Sequence, residues 1–303
     1  MRTRILIIVM MFTGAVSFAQ QDAQFTQYMY NTININPAYA GSRGVLSIFG
    51  LHRTQWVGLD GAPVTNAASL NTPLGSKGLG LGLSFVSDKI GPTHESNISA
   101  DISYTIPTSE AFKLSFGIKA SANIFNLDRS MLNPENPNDD NLQEIDNEFS
   151  PNIGAGVYLH SDKFYAGISV PNFIETTRYS DNDATINKER LNYYFITGYV
   201  FDLGPSVKLK PALLTKLVAG APLQVDVSAN FLLYERFVIG GAYRWSAAVS
   251  GMVGFQITDG LFLGYGYDLE TTRLKNYNSG SHEIFLRYEL FNNYDRITTP
   301  RFF

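Results

Sequence analysis

The sequence predicts an all-β fold: a 14-stranded antiparallel transmembrane β-barrel with an N-terminal plug segment. Three observations carry that prediction. In the stretch 111–125, Phe112, Leu114, Phe116, Ile118, Ala120, Ala122 and Ile124 share one face, while Lys113, Ser115, Gly117, Lys119, Ser121 and Asn123 share the other. Side chains of a strand repeat every two residues, so the segment has one apolar face and one polar face. It is also long, since a globular strand usually has about 5–6 residues and a membrane-crossing strand needs about 9–11. Finally, such segments recur to the end of the chain, joined by connections that alternate between tight and long. Short turns at one rim and long loops at the other are how outer-membrane barrels are built.

Residues 1–19 read as a cleaved signal peptide. Arg2 and Arg4 supply its positive start, residues 5–12 its apolar run, and Ser17 and Ala19 its small residues before the cut. The apolar run is short for a membrane span, and Gln20, Gln21 and Asp22 follow it at once. Residues 20–43 do not alternate. Phe25, Tyr28, Met29, Tyr30 and Tyr39 are anchors that tend to bury, and Asn36-Pro37 marks a turn or helix start. This segment is expected to enter the lumen as a plug through Phe25, Tyr28, Asn36, Pro37 and Tyr39; the alternative is a disordered leader.

Within the barrel, 44–291, strands are expected at 44–53, 64–72, 78–87, 95–106, 111–125, 152–160, 163–170, 190–203, 206–216, 222–234, 237–245, 247–258, 261–270 and 282–291. The clearest are 78–87, where Leu79, Leu81, Leu83 and Phe85 alternate with Gly80, Gly82 and Ser84, and 222–234. Tight connections are expected at 73–77, 107–110, 161–162, 204–205, 235–236 and 259–260. Long ones are expected at 54–63, 88–94, 126–151, 171–189 and 271–281, with short exceptions near Val218 and Ser246. An even strand number puts both termini, including a tail at 292–303, on the short-turn, periplasmic side.

Composition agrees. No run of about 18 apolar residues occurs, which excludes helical transmembrane spans. The 21 Phe, 17 Tyr and 26 Gly suit a barrel with aromatic girdles. Absence of Cys removes disulfides, thiolate chemistry and a lipid-anchoring cysteine. Without Arg2 and Arg4, 21 basic residues (23 less 2) face 27 acidic ones, a net charge of −6 that argues against nucleic acid. A soluble β-sandwich would also alternate, but its strands are shorter and its polar faces carry more charge than the Gly, Ser and Asn found here.

Catalysis finds no motif. The four histidines, His52, His94, His160 and His282, are scattered, and neither HExxH nor GxSxG occurs. His282-Glu283 reads as a rim pair at the start of the last strand. No enzyme activity, cofactor or metal is expected. In the acidic stretch 133–152, Asp139, Asp140, Glu144, Asp146 and Glu148 offer oxygen ligands, but their spacing does not match an EF-hand, and a solvated loop used for partner binding is the preferred reading. Asp101, Lys113, Lys119, Lys208, Lys210, Lys216 and Asp226 fall on polar faces. In a plugged barrel they would pair with one another or with the plug; in a conducting one they would tune selectivity. Trp56 stands where the first strand leaves the membrane and suits an interfacial aromatic. Gly58, Gly61 and Pro63 shape a rigid loop after it, which either folds inward, presents a binding surface or is simple loop geometry.

Several motifs taken together resemble the PorP/SprF family of type IX secretion outer-membrane proteins of the Bacteroidetes. They are Phe25-x-Gln27-Tyr28-Met29, Asn36-Pro37-Ala38-Tyr39-Ala40-Gly41, Arg53-x-Gln55-Trp56-x-Gly58, Gly61-Ala62-Pro63-x-Thr65 and the terminal Pro300-Arg301-Phe302-Phe303. The resemblance implies a non-enzymatic part of the type IX secretion and gliding machinery. Such a protein would bind secreted adhesins through their C-terminal signal domains and meet other secretion components, periplasmic lipoproteins among them, in the outer-membrane lipid. On the substrate side the expected contacts are Trp56, Gly58 and Pro63, Asp139 and Asp140 in the loop 126–151, and Arg178 in the loop 171–189. The rival is a fatty-acid-transporter-like barrel for hydrophobic small molecules, which shares strand number, hatch and an Asn-Pro-Ala tripeptide.

Overall fold

The computed structural model describes residues 28–75, 77–132, 145–175, 177–178, 187–188 and 190–290. The expected signal peptide, Phe25, Asp139, Asp140 and the tail 292–303 lie outside them. Fourteen strands form the wall: β1 Leu46–Thr54, β2 Val64–Leu74, β3 Leu79–Ile90, β4 Thr93–Pro107, β5 Lys113–Leu127, β6 Ile145–His160 and β7 Phe164–Val170 make the first half. The second half is β8 Asn192–Tyr199 continued as Phe201–Gly204, β9 Val207–Val218, β10 Gln224–Leu233, β11 Phe237–Arg244, β12 Ala248–Gln256, β13 Leu261–Glu270 and β14 Ser281–Leu290. The break in β8 falls at buried Val200, whose N–H bonds Lys163 O at 2.8 Å. Every strand pairs antiparallel with its sequence neighbours, and β1 pairs with β14, so the sheet closes into a barrel. A two-residue pairing of Thr177–Arg178 with Asn187–Lys188 stands apart in the connection before β8.

The interior is polar and the exterior apolar. Between β4 and β5, Ile102 faces Ile118 and both are more than half exposed (51% and 64%), while the next pair, Asp101 and Lys119, is buried. The same alternation runs through the wall, with Ser115, Asn230 and Ser281 inside and Leu83, Val253 and Leu286 outside. A continuous apolar exterior of this extent is what a barrel presents to lipid.

Two connection expectations are corrected. The loop expected at 88–94 is a tight hairpin: β3 runs to Ile90, β4 starts at Thr93, and Gly91 turns the chain with a φ of 53°. The acidic loop is also shorter, because β6 begins at Ile145 rather than near 152. The strand ends around Gly91 carry polar residues on both faces, whereas in β6 Phe149 does face outward but Asn147, with a φ of 53°, and Pro151 interrupt the outward row. The remaining long connections (55–63, 171–191 and 271–280) gather at the same rim.

Candidate functional site

The segment ahead of β1 consists of short turns: Tyr28–Tyr30 and Pro37–Tyr39 are 3-10, and Thr32–Ile35 is a single α turn. Asn36 explains the second 3-10 turn. Its side-chain oxygen accepts from Ala38 N at 3.0 Å, and Pro37 pre-sets the first turn position. Tyr28, Met29, Tyr30, Ile33, Ala38 and Tyr39 are buried in one cluster with inward residues of the wall, including Phe49, Tyr158, Tyr165, Phe262 and Phe285.

Irregular backbone leaves polar groups that need partners, and the wall supplies them. Lys119 Nζ donates to Ile33 O at 3.3 Å and Asn34 O at 3.1 Å. Ser169 Oγ donates to Ile35 O at 2.6 Å, Ser103 Oγ to Ala40 O at 2.7 Å, and Ser69 Oγ to Asn31 Oδ1 at 2.8 Å. In return, Asn36 Nδ2 donates to Val157 O at 3.1 Å.

A track of glycines makes the approach possible. A Cβ at Gly80 of β3 would strike the Ala40 carbonyl, at Gly82 the Ile33 side chain, and at Gly117 of β5 the Ala38 nitrogen and the Pro37 carbonyl carbon. At Gly156 of β6 and Gly167 of β7 it would strike the Asn36 amide. The polar-face glycines of the sequence are therefore close-approach positions.

Two charge clusters anchor the β14 side. Arg53 on β1 donates through Nη2 to Asp268 at 2.6 Å and through Nη1 to Glu283 at 3.2 Å, with all three side chains at most 3% exposed. Nearer the other rim, Arg43 pairs with Glu289 and lies 3.4 Å from the Tyr39 hydroxyl. Burial opposes the Arg43 charge, but Tyr39 and Glu289 outweigh it and hold the guanidinium above its ordinary range. The Arg287 guanidinium lies 5.2 Å from the Phe262 ring centre, and that ring stacks on Tyr30 at 5.4 Å. Burial pushes the Tyr28 and Tyr30 hydroxyls above the usual phenol range.

Of the expected lumen charges, Lys119 lies 3.5 Å from Asp101, and Asp226 pairs with Arg244 at 2.7 Å. Lys210 and Lys216 sit over the Tyr165 and Tyr194 rings at 4.9 and 5.7 Å. Lys208 reaches Glu235 at 3.8 Å, and Lys113 is exposed. Most of these charges are thus engaged within the wall or with the segment ahead of β1.

At the long-loop rim, 55–63 is stitched on both flanks. Val57 N donates to Gly280 O and Ser279 N to Val57 O, at 2.9 and 2.7 Å, and Gly91 N donates to Gly61 O at 2.9 Å. Trp56 holds a left-handed φ of 45°, and its Nε1 donates to Glu270 Oε1 at 2.9 Å. The ring is half-buried just beyond β1, with its N–H on a residue of inward parity. Gly58 is exposed with a φ of 102°, and Pro63 is buried. Trp56, Gly58 and Pro63 thus share one braced loop. For Arg178 only the backbone is described, and it pairs with Asn187. Tyr28, Asn36, Pro37 and Tyr39 are all buried together.

Sequence reading missed Arg43, Asp268, Arg287 and Glu289, used Arg53 only as part of a motif, and placed Glu283 at the rim. The signal was present: on β14 Glu283, Arg287 and Glu289 follow Ser281 at even spacing, the parity that points inward. Among the described residues no group of His, Asp and Glu gathers to hold a metal.

A family described as type IX secretion system membrane protein PorP/SprF matches residues 17–288. No curated protein matches the sequence. Among solved structures, the CymD monoaromatic hydrocarbon channel aligns at 13% identity over 93% of this chain and 96% of its own, with a TM-score of 0.52. A deletion mutant of the TodX monoaromatic hydrocarbon channel aligns at 7% identity over 88% and 94%, with a TM-score of 0.51. Omp33 of Acinetobacter baumannii aligns at 10% identity over 81% and 99%, at 0.49. At these identities the likeness is one of barrel fold.

Proposed function

The chain belongs to the PorP/SprF family of type IX secretion system membrane proteins, and from that premise we propose that it is a binding component of the secretion and gliding machinery, built on a plugged outer-membrane barrel. It helps secrete or anchor cell-surface adhesins by gripping their C-terminal signal domains. The termini are periplasmic, so the long-loop rim meets the secreted protein, and the short-turn rim meets other secretion components such as periplasmic lipoproteins. No chemistry is required of it.

The observation that carries this reading is the way residues 28–41 are fastened. Lys119, Ser103, Ser169 and Ser69 hold their backbone and side chains, and the glycine track admits them. A lumen fitted to its own chain favours a fixed anchor over a conduit. The braced loop carrying Trp56, Gly58 and Pro63 offers a preorganised surface, which lowers the cost of binding. Asp139, Asp140 and Arg178 are further contacts for the partner in this reading.

The rival is passage of hydrophobic small molecules, on the pattern of the channels that share the fold. It calls for an apolar route, whereas the inner wall carries Asp101, Lys119, Lys210, Lys216 and Asp226. Affinity-tagged protein purified from native membranes separates the two. Recovery of a secreted C-terminal domain or another secretion component supports the proposal. Repeated recovery of the barrel alone, with uptake of a hydrophobic solute by vesicles that contain it, overturns it.

A further inference from the structure

The structure gathers three of the four histidines on one arc of the outward wall, where the sequence scattered them. Thr54 of β1 is opposite His282 of β14, and His52 is opposite Asn66 of β2. Asn66 is opposite Ser87 of β3, Ser87 opposite Ser96 of β4, and Lys89 opposite His94. Outward-pointing polar groups therefore run unbroken across five adjacent strands. They are linked along the surface: His52 Nδ1 lies 2.8 Å from Asn66 Oδ1, His94 Nε2 2.9 Å from Ser87 Oγ, and His282 Nδ1 2.7 Å from the Tyr265 hydroxyl of β13.

Parity sorts charge along this arc. Asp88 is next to Lys89, Glu95 next to His94, and Glu283 next to His282, and in each couple the acid turns inward. Asp88 accepts from Thr65 Oγ1 at 2.5 Å, Glu95 from the Asn123 amide, and Glu283 from Arg53. On β14, β1, β2, β3 and β4 the outward positions of the described residues carry no Asp or Glu at all. Further along the same strands the outward residues become apolar and exposed, as at Phe85, Ile98 and Leu286. The stripe thus lies on the lipid-facing wall itself, at its long-loop end, where headgroups adjoin the apolar band.

We propose that this stripe is a binding face for the phosphate groups of anionic membrane lipids in the leaflet at the long-loop rim. Lys89 supplies a fixed positive charge, and the imidazoles, Asn66, Ser87 and Ser96 supply donors. Within the stripe no outward carboxylate repels a phosphate, and at its edge the exposed Asp128, just beyond β5, feels the Lys89 charge. An acidic protein segment would meet the same charges, but the neighbour of a lipid-facing wall is lipid, and the stripe is continuous with the apolar rows below it. The inference rests on the barrel alone and stands apart from the secretion role.

The test is native mass spectrometry of the full chain in detergent micelles, with phosphatidic acid and phosphatidylcholine of identical acyl chains as probes. The unaltered protein is expected to retain phosphatidic acid about tenfold more than phosphatidylcholine, in line with charges at a membrane surface. The combined variant His52→Gln, Lys89→Gln, His94→Gln, His282→Gln is expected to lose that preference, with heat-dependent gel mobility reporting that it has folded. Should it not fold, Lys89→Gln with His94→Gln reads the same effect, and Lys89→Arg is expected to keep the preference. Equal retention of the two lipids by the unaltered protein, or an undiminished preference in a folded variant, overturns the proposal. So does release of the lipid by millimolar inorganic phosphate, which would mark a free-anion site, and so does an acidic peptide that binds the stripe while phosphatidic acid does not.

Discussion

Arg53 and Glu283 are opposite each other where the first and last strands pair, and their side chains meet inside the wall at 3.2 Å. Asp268, one strand further on, takes the other arm of the same guanidinium at 2.6 Å. Removing one partner of such a buried network leaves the others uncompensated. Arg53→Met is expected to destabilise the barrel by about 3–5 kcal/mol, read as a lower urea midpoint for the folded band in detergent. Combining it with Asp268→Leu and Glu283→Leu should recover much of the loss. A single variant as stable as the unaltered chain would contradict this account.

Gly117 is needed for what lies against it. A Cβ there would meet the Ala38 nitrogen and the Pro37 carbonyl carbon, so Gly117→Val is expected to cost about 1–3 kcal/mol by overpacking. Ile118→Val, one residue away on the outward face, should change stability by less than about 0.5 kcal/mol. Similar effects at the two positions would dissolve the glycine-track argument.

If residues 28–41 plug the lumen, deleting 20–43 should open it. In planar bilayers the unaltered chain is expected to be silent and the deletion variant to conduct in discrete steps. Lys119→Met, which removes the donor to Ile33 O and Asn34 O, should give intermittent openings. Equal conductance of full-length and deleted chains would refute the plug.

Trp56→Ala separates binding from stability. The change relieves no left-handed strain, since Ala holds a φ of 45° no better than Trp, and it removes the bond to Glu270. Capture of partners from native membranes is expected to fall about tenfold or more, as for a central aromatic anchor, while the unfolding midpoint moves little. Undiminished capture would remove this loop from the binding surface.

Asp128, just beyond β5, gives a pH dependence with a defined sign. The Ser130 hydroxyl, and after it the Ser130 backbone N–H, hold its carboxylate below the usual aspartate range. Because the folded value lies below the unfolded one, the contribution is present at neutral pH and is lost as pH falls through the folded value. The protection factor of the Ser130 amide, which is its exchange rate set against the pH-dependent intrinsic rate, should fall between neutrality and about pH 3 in the unaltered chain. Asp128→Asn should be flat over the same interval.

The wall was legible because lipid outside and a polar interior impose one rule on every strand. Leu79 to Phe85 and Phe112 to Ile124 obey it along their length, and the strand number follows. The rule fails where polar residues occupy both faces, as in the strand ends around Gly91, and where the apolar row is broken, as Asn147 and Pro151 break it on either side of Phe149. The charged clusters were harder to see because their members are far apart in sequence: Arg53 meets Asp268 and Glu283 only after the sheet has closed. The glycine track was visible as composition, but its purpose depends on a segment whose docking no local pattern encodes.

Among the described residues every ladder but one joins strands that follow each other along the chain, and the exception brings Leu46 beside Leu290. Sequence-local hairpins close short loops, so the largest single loop-closure cost of the topology falls on that final encounter. Assembly should therefore have a late, slow event at this junction. Damage to Arg53 would appear first as chains that have built their hairpins and fail to become rings, a kinetic defect visible in refolding time courses before any loss is seen at equilibrium.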